Sequence, residues 1–256
     1  MLPLFKSHYS VGKSILTVAA PTKVQKGGTA SVFDIAVRHG LKKVILVEDA
    51  LVGFLESKKI ADSLGLQLIF GLRIDVCEDM NKKPLKGALD CVSKIIVFAK
   101  NSKGCTLLNR IYSSAFTEGG GRIDFARLKS LYNPKDLKIA IPFYDSFLFH
   151  NLFSYKEPCI LDDSFFDPLY LLEDNALPLD IPLSKAVKSY CGNDYEIASS
   201  KTIYYENRED FEAYQTYKCV CGRGFSSKAK TLDMPNLDHC GSPEFCFESY
   251  LDNEGS

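Results

Sequence analysis

The chain begins with short apolar runs that alternate with amphipathic helical segments. The runs at 2–5, 43–47 and 66–71 have the length and composition of buried strands. Between them, apolar residues recur at helical spacing in "TASVFDIAVRHG" and "VGFLESKKIADSLG", and each segment ends at a glycine that favours a helix terminus. Thr29 or Ser31 is suited to cap the first helix. This order predicts a βαβαβ unit and an α/β fold with a parallel or closed sheet.

The alternation continues less regularly through the rest of the chain. Further strands are predicted at 94–99, 138–143 and 195–199, and helices within 106–116, 123–132, 182–192 and 207–218. Four prolines between 158 and 182 divide that region into short pieces and weaken the pattern there. Because no Gly/Ser-rich or charged linker interrupts the 256 residues, we expect a single barrel-like domain spanning 1–256.

Composition narrows the classes of function. A formal net charge of -1 gives no overall electrostatic footprint for holding nucleic acid, so we expect DNA contact to be weak or indirect, although a local basic face is compatible with it. No apolar run reaches the ~20 residues that span a bilayer, so no membrane association is expected. Nine cysteines without a regular framework and the absence of a signal-peptide pattern predict a cytoplasmic protein with free thiols.

Two adjacent carboxylates end the second predicted strand. In "KKVILVEDALVG" the apolar run leads directly into Glu48 and Asp49, at the strand end where α/β enzymes place metal ligands. A hydrolytic metal centre needs several carboxylate and imidazole ligands, and the chain contains only four histidines. A strand-end pair that caps a helix or binds a cation is therefore the simpler interpretation.

The order of landmarks resembles a known family. The stretches "VFAKNSKGCTLLNRIYSSAF" (97–116) and "NREDFEAY" (207–214), together with "LPLFKSHYSVGKSIL" at the start, are similar to the polymerase and histidinol phosphatase (PHP) domain at the front of the bacterial DNA polymerase III alpha subunit. The resemblance covers essentially the whole chain. It implies a distorted seven-stranded (β/α)7 TIM-like barrel of PHP type, with a metal cluster at the C-terminal strand ends.

The chain departs from the family at the implied metal ligands. Aligned on Tyr9 and Ser10, the two histidines of the family's opening motif correspond to Leu2 and Lys6, and its Asp-His pair becomes Asp49 and Ala50. The remaining implied ligand positions hold Arg73, Ser200, Lys201, Ile203 and Tyr214. We therefore expect no metal site, no cofactor and no catalytic residues. Where Lys6, Arg73 and Lys201 converge, they are expected to pair with Glu48 and Asp49 in place of metal ions.

The remaining histidines and cysteines make weak metal sites. His8 is close enough in sequence to join Asp49 around one ion, but an exposed turn histidine is the simpler interpretation. His39 suits the last turn of a helix, and His150 a core or interface position. A zinc site could also be drawn from Cys219, Cys221, His239, Cys240 and Cys246. Its spacing is poor, because Cys219 and Cys221 extend a helix in which residues two apart do not share a face.

Aromatic residues crowd into one region. They are Phe143, Tyr144, Phe147, Phe149, Phe153, Tyr155, Phe165, Phe166 and Tyr170. This pattern is compatible with an aromatic-rich core and equally with aromatic anchors that face a partner.

The sequence favours a protein without enzymatic activity. We expect a non-catalytic PHP-like subunit or accessory protein that docks onto a replicative C-family DNA polymerase or other replication proteins. The alternative is a metal-dependent phosphoesterase or 3'-5' exonuclease with a rebuilt site around His8, Glu48 and Asp49, with Asp145 or Asp162 as a further ligand.

Overall fold

The computed structural model describes residues 1–82, 92–153, 159–221 and 241–254. Within these ranges, the strands are β1 (Leu2–Phe5), β2 (Lys43–Glu48), β3 (Gln67–Cys77), β4 (Ser93–Ala99), β5 (Arg122–Asp124), β6 (Leu137–Ile141), β7 (Leu169–Leu172) and β8 (Glu196–Ile203). The α-helices are α1 (Val32–Arg38), α2 (Phe54–Ser63), α3 (Ser102–Thr117), α4 (Phe125–Leu131), α5 (Phe147–Phe153), α6 (Asp180–Cys191), α7 (Phe211–Cys221) and α8 (Phe247–Glu254). Two short 3-10 turns lie at Pro21–Lys23 and Arg208–Asp210.

Seven strands close into a barrel. The strand order is β2-β1-β8-β7-β6-β4-β3, and β3 pairs again with β2 to close the ring. The short β5 extends one end of β3 outside the ring. The fold is therefore α/β with a closed seven-stranded barrel, as expected. The sheet is mixed, because β4 runs antiparallel to both β3 and β6, so a regular (β/α)7 arrangement is not confirmed.

The alternation of side chains along each strand divides the core into two layers. Successive residues of a strand point to opposite faces, so every second residue enters the barrel. The buried interior side chains are Leu4, Ile45, Val47, Ile96, Ala140 and Leu171. The intervening residues, such as Phe5 and Leu46, pack against the surrounding helices in the larger apolar cluster. This parity also decides which polar residues face inward at the strand ends.

Local sequence explains the helix boundaries near the barrel. The Ser31 side chain accepts a hydrogen bond from the Phe33 N–H and caps α1, and Gly40 follows the helix with a φ of 65°. Asn101 caps α3 through the Gly104 N–H. A Cβ at Gly104 would lie 2.2 Å from the carbonyl oxygen of Asp136, so glycine is required where α3 begins against the chain leading into β6.

The C-terminal helix is fixed by an arginine cluster. The Arg208 guanidinium donates to Glu244 at 2.9 Å and to Glu248 at 3.0 Å, and it lies 2.8 Å from Asp252. The terminal ammonium group of Met1 lies 2.6 Å from Glu254. These contacts hold α8 against the barrel and lower the pKa of Glu244 to about 2, chiefly through its hydrogen bond with Arg208.

Four elements were not predicted. They are β5, which overlaps the start of the helix predicted at 123–132, α5, which precedes the proline-divided region, and β7 and α8, which lie in that region or beyond it. The prolines interrupt the pattern without breaking the elements: Pro168 immediately precedes β7, and Pro182 lies in the first turn of α6, where its missing N–H has no intrahelical partner to lose. In the described residues, no helix has both the length and the apolar content needed to cross a bilayer.

Aromatic and cysteine residues follow the predictions only in part. Five of the clustered aromatics, Phe143, Tyr144, Phe147, Phe166 and Tyr170, are buried, whereas Phe153 is exposed; Tyr155 lies outside the described residues. The prediction of free thiols holds for Cys77, Cys105, Cys191, Cys219, Cys221 and Cys246, but Cys159 forms a disulfide.

Candidate functional site

The barrel mouth carries the densest group of buried charges. We use this name for the inward-facing layer at the C-terminal strand ends, formed by Lys6, Asp49, Arg73, Glu173 and Thr202. Each residue lies two or four positions beyond an interior residue of its strand, so strand alternation points it into the barrel. Lys6, Arg73, Glu173 and Thr202 line a common internal cavity of about 20 Å³, room for roughly one water molecule.

Lys6 forms a largely buried ion pair with Asp49. Its Nζ lies 2.7 Å from the Asp49 Oδ1, and the Lys6 side chain is only 3% exposed, against 33% for Asp49. Burial lowers the pKa of Lys6, although Asp49 opposes the shift. Burial also tends to raise the pKa of Asp49, but the charges of Lys6 and Arg73 outweigh it and hold that pKa below its usual value. Lys6 therefore acts as the counter-ion of Asp49.

Arg73 links two strands across the mouth. Its Nη2 donates to the Asp145 carboxylate at 2.9 Å and to the Tyr144 carbonyl oxygen at 3.0 Å. β3 continues through Arg73 to Cys77, so this residue lies inside a strand and not after it. Asp145 has a φ of 62°, in the left-handed region. The arginine thus fixes the segment after β6 against β3.

Glu48 and Lys201 point away from the cavity. Each has the opposite strand parity to the mouth residues and faces the helix layer. The Glu48 carboxylate accepts hydrogen bonds from the Ser7 N–H at 2.9 Å and from the Ser10 hydroxyl. Burial raises its pKa, against the opposing effects of Lys6 and the two serines. The Lys201 Nζ donates to the Asp174 carbonyl oxygen at 2.7 Å, so it does not join Lys6 and Arg73.

Sequence reasoning missed a second buried carboxylate. Glu173 accepts hydrogen bonds from the Thr202 N–H at 3.1 Å and the Thr202 hydroxyl at 2.6 Å, and from the Asn175 amide at 3.1 Å. Burial raises its pKa, partly offset by these hydrogen bonds and by Lys201. The available signal was "LLEDN" (171–175), an apolar run ending in two acids, as in "ILVED" (45–49).

The missed residues continue into a network behind Glu173. Asn175 also donates to the Tyr144 hydroxyl at 2.9 Å, and that hydroxyl donates to Asp180 at 2.8 Å. The second Asp180 oxygen accepts from the Asn175 and Leu177 N–H groups at 2.8 and 3.1 Å. Burial raises the pKa of Tyr144, so the phenol remains protonated and can serve as a donor. The network fixes the loops after β6 and β7 to the start of α6.

The mouth does not fit a divalent metal cluster. Of the positions where the resemblance implies ligands, two that reach the cavity hold Lys6 and Arg73, which have no lone pair to offer while protonated. The carboxylates at the mouth are already engaged: Glu173 by Thr202 and Asn175, Asp49 by Lys6, and Asp145 by Arg73. In the described residues, no group of three or more His, Cys, Asp or Glu side chains is arranged to hold a metal ion.

The residues of the alternative hydrolytic site do not converge. His8 is exposed and lines a cleft outside the barrel. Asp162 is also exposed. Its neighbour Asp163 accepts a hydrogen bond from Tyr195, which immediately precedes β8. Asp162 therefore lies at the N-terminal end of the strands, opposite the mouth. Only Glu48, Asp49 and Asp145 remain near the mouth, bound to serines, Lys6 and Arg73 respectively.

The other metal candidates are also dispersed. His39 caps the end of α1 with its ring 4.9 Å from the Phe247 ring, and His150 is half-buried on α5 beside Phe149. Cys219 and Cys221 lie on α7, whereas Cys246 is buried beside β8 and accepts a hydrogen bond from the Ser249 N–H. His239 and Cys240 lie outside the described residues.

Comparison with known proteins adds no family assignment. No protein-family model matches the chain, and no curated protein matches it in sequence. The barrel mouth is therefore interpreted from its own geometry.

Proposed function

We propose that this chain is a non-catalytic, PHP-like subunit or accessory protein of a replicative C-family DNA polymerase. The polymerase assignment is supported by the sequence resemblance, and the closed seven-stranded barrel is compatible with a distorted barrel of PHP type. The non-catalytic assignment is supported mainly by one observation, the buried Lys6–Asp49 pair, with Lys6 where the resemblance implies a metal-binding histidine. The proposal places the protein in the cytoplasm, where replication takes place.

The physical argument for a non-catalytic role is charge balance. Metal-dependent hydrolysis of a phosphodiester requires divalent ions to activate water and to neutralise developing negative charge. In the mouth, an ammonium and a guanidinium group provide positive charge without an open coordination position. Such groups stabilise neighbouring carboxylates but do not lower the pKa of a bound water to produce a nucleophile.

Exposed apolar residues on two adjoining helices offer a docking surface for the polymerase. α5 and α6 pack against each other, and on the side where they meet they carry Leu152, Phe153 and Tyr190 with exposed fractions from 39 to 45%. Aromatic anchors dominate the energetics of protein interfaces. We call these three residues the α5–α6 surface.

A pull-down from the native cell tests the proposal. The tagged chain is expected to recover a C-family polymerase, identified by mass spectrometry, and a Leu152→Asp/Phe153→Asp variant is expected to lose it. A Val37→Asp/Val52→Asp variant is the matched control, because it places two acids at exposed apolar positions on other elements. Recovery of no replication protein by the unmodified chain would overturn the assignment.

A further inference from the structure

A cleft of about 510 Å³ lies outside the barrel, between the segment that follows β1 and helix α2. Its walls include two aromatic rings and two lysines, from His8, Tyr9, Lys23 and Lys59, and its floor is formed by small apolar residues at 18–20. The volume falls in the range of small-ligand sites. The cleft shares no lining residue with the cavity of the barrel mouth.

The aromatic wall is held in a fixed position. The Tyr9 hydroxyl donates to Glu56 at 2.5 Å, and the Tyr9 ring lies directly against Gly53. A Cβ at Gly53 would lie 2.2 Å from the Tyr9 Cδ2, so glycine is required for this contact. The His8 ring lies 4.3 Å from the Tyr9 ring at an interplanar angle of 32°, and His8 is exposed. The His8 ring therefore lies over the Tyr9 ring, and together they form a ledge whose outer face, that of His8, is the one on which a planar group can stack.

The cleft carries more positive than negative charge. In the part of the chain that the structure describes, neither Lys23 nor Lys59 forms an ion pair with a carboxylate, whereas the adjacent Lys58 pairs with Asp62. The Glu56 carboxylate also lines the cleft and keeps its negative charge while it accepts the Tyr9 hydroxyl. Two ammonium groups and one carboxylate leave the cleft with one net positive charge, which favours an anion.

We propose that this cleft binds an aromatic base that carries a phosphate group. The base stacks on the outer face of the His8 ring, which the Tyr9 ring supports from behind, and the phosphate lies between Lys23 and Lys59. Base–aromatic stacking combined with a basic groove is the usual means of binding single-stranded nucleic acid. The ligand is a unit of a single strand or a free nucleotide, which share this chemistry. The inference rests on the cleft alone and does not depend on the polymerase assignment.

A binding site confined to one cleft is consistent with the nearly neutral net charge of the chain. With a net charge of -1, the protein has no extended basic surface, so binding is expected to be modest and confined to the cleft. Because one phosphate is neutralised, log K is expected to fall with log salt concentration with a slope of about −0.7 for a single strand.

Fluorescence polarisation with a short labelled oligodeoxyadenylate at low salt tests the site on the purified full chain. Lys23→Glu/Lys59→Glu is expected to weaken binding roughly tenfold or more. Lys185→Glu/Lys188→Glu is the matched control: it makes the same change in net charge at exposed positions on α6 and is expected to leave affinity within about twofold.

Substitutions of His8 separate stacking from other roles of the imidazole. His8→Ala is expected to weaken binding roughly tenfold, in the range for loss of one stacked base, and His8→Phe to restore most of it. Thermal unfolding of each variant confirms that the fold is intact. If adenosine 5'-monophosphate displaces the oligonucleotide at comparable affinity, the ligand of the site is a free nucleotide. If it does not displace the oligonucleotide, the ligand is a unit of a single strand.

Three results would overturn the proposal. They are the absence of binding by either probe, equal weakening by the two lysine double variants, and equal weakening by His8→Ala and His8→Phe. Because no polymerase is present in the assay, none of these outcomes is affected by whether the pull-down succeeds.

Discussion

Replacing Lys6 with methionine is expected to destabilise the folded chain by about 2–3 kcal/mol at neutral pH. Removing one partner of a buried ion pair costs about 3–5 kcal/mol, because the other charge is left without compensation. The Lys6 side chain is 3% exposed, but Asp49 is 33% exposed and regains some hydration, which lowers the expected cost. Methionine retains the length of the lysine side chain, so no large cavity contributes.

A double-mutant cycle with Asp49→Asn isolates the pair. The Lys6→Met/Asp49→Asn variant is expected to regain about 2 kcal/mol relative to the sum of the single changes, because both charges are removed together. Lys58→Met is the control, since it breaks a pair with Asp62 whose side chains are 52% and 57% exposed, and it is expected to cost less than about 0.5 kcal/mol.

Urea unfolding followed by far-UV circular dichroism measures these changes, since the chain has no tryptophan for fluorescence. The reasoning would be refuted if Lys6→Met cost no more than Lys58→Met, or if the two single changes at the mouth were additive.

Three further changes test other parts of the structure by the same unfolding measurement. Burial raises the folded pKa of Glu173, so the stability of the wild-type chain should fall as pH rises from about 4.5 through that pKa. Glu173→Gln should remove up to ~1.4 kcal/mol per pH unit of this slope. An unchanged pH profile would contradict the raised pKa. Gly65→Ala should lower the free energy of unfolding by about 1–2 kcal/mol, because Gly65 has a positive φ. Gly53→Ala should lower it clearly more, because Gly53 also has a positive φ and its added Cβ would meet the Tyr9 ring. Equal losses would contradict the contact between Gly53 and Tyr9. Arg208→Met should cost about 1–2 kcal/mol by releasing α8, and a neutral result would mean that the carboxylate cluster contributes nothing.

The sequence predicted the elements whose pattern is local. The βαβαβ start follows from strand and helix periodicity together with Ser31 and the glycines at helix ends, and the structure confirms it. The direction of β4 could not be predicted in this way, because an apolar run such as 94–99 has the same periodicity in parallel and antiparallel sheets. The short strand β7 was missed because four residues between proline-rich segments carry too little pattern.

The sequence likewise predicted only part of the barrel mouth, because most of its contacts join residues that are far apart in the chain. Pairing of Lys6 with Asp49 was predicted and is present, whereas Arg73 acts on Asp49 through its charge and forms an ion pair with Asp145, which was not predicted. Lys201 was expected to join them, and strand parity turns it outward. That parity is readable from sequence only after the strand bounds are known. The partners of Glu173 come from its own loop, through Asn175, and from the distant strand β8, through Thr202.

The central claim is that protein cations occupy the barrel mouth in place of divalent metal ions. Metal analysis of the purified chain after incubation with Mn²⁺ and dialysis tests it most directly, together with a melting temperature measured with and without EDTA. We expect well below one equivalent of bound metal and no shift of the melting temperature. Two or more tightly bound ions per chain, lost in Asp49→Ala together with a manganese-dependent nuclease activity, would contradict the account.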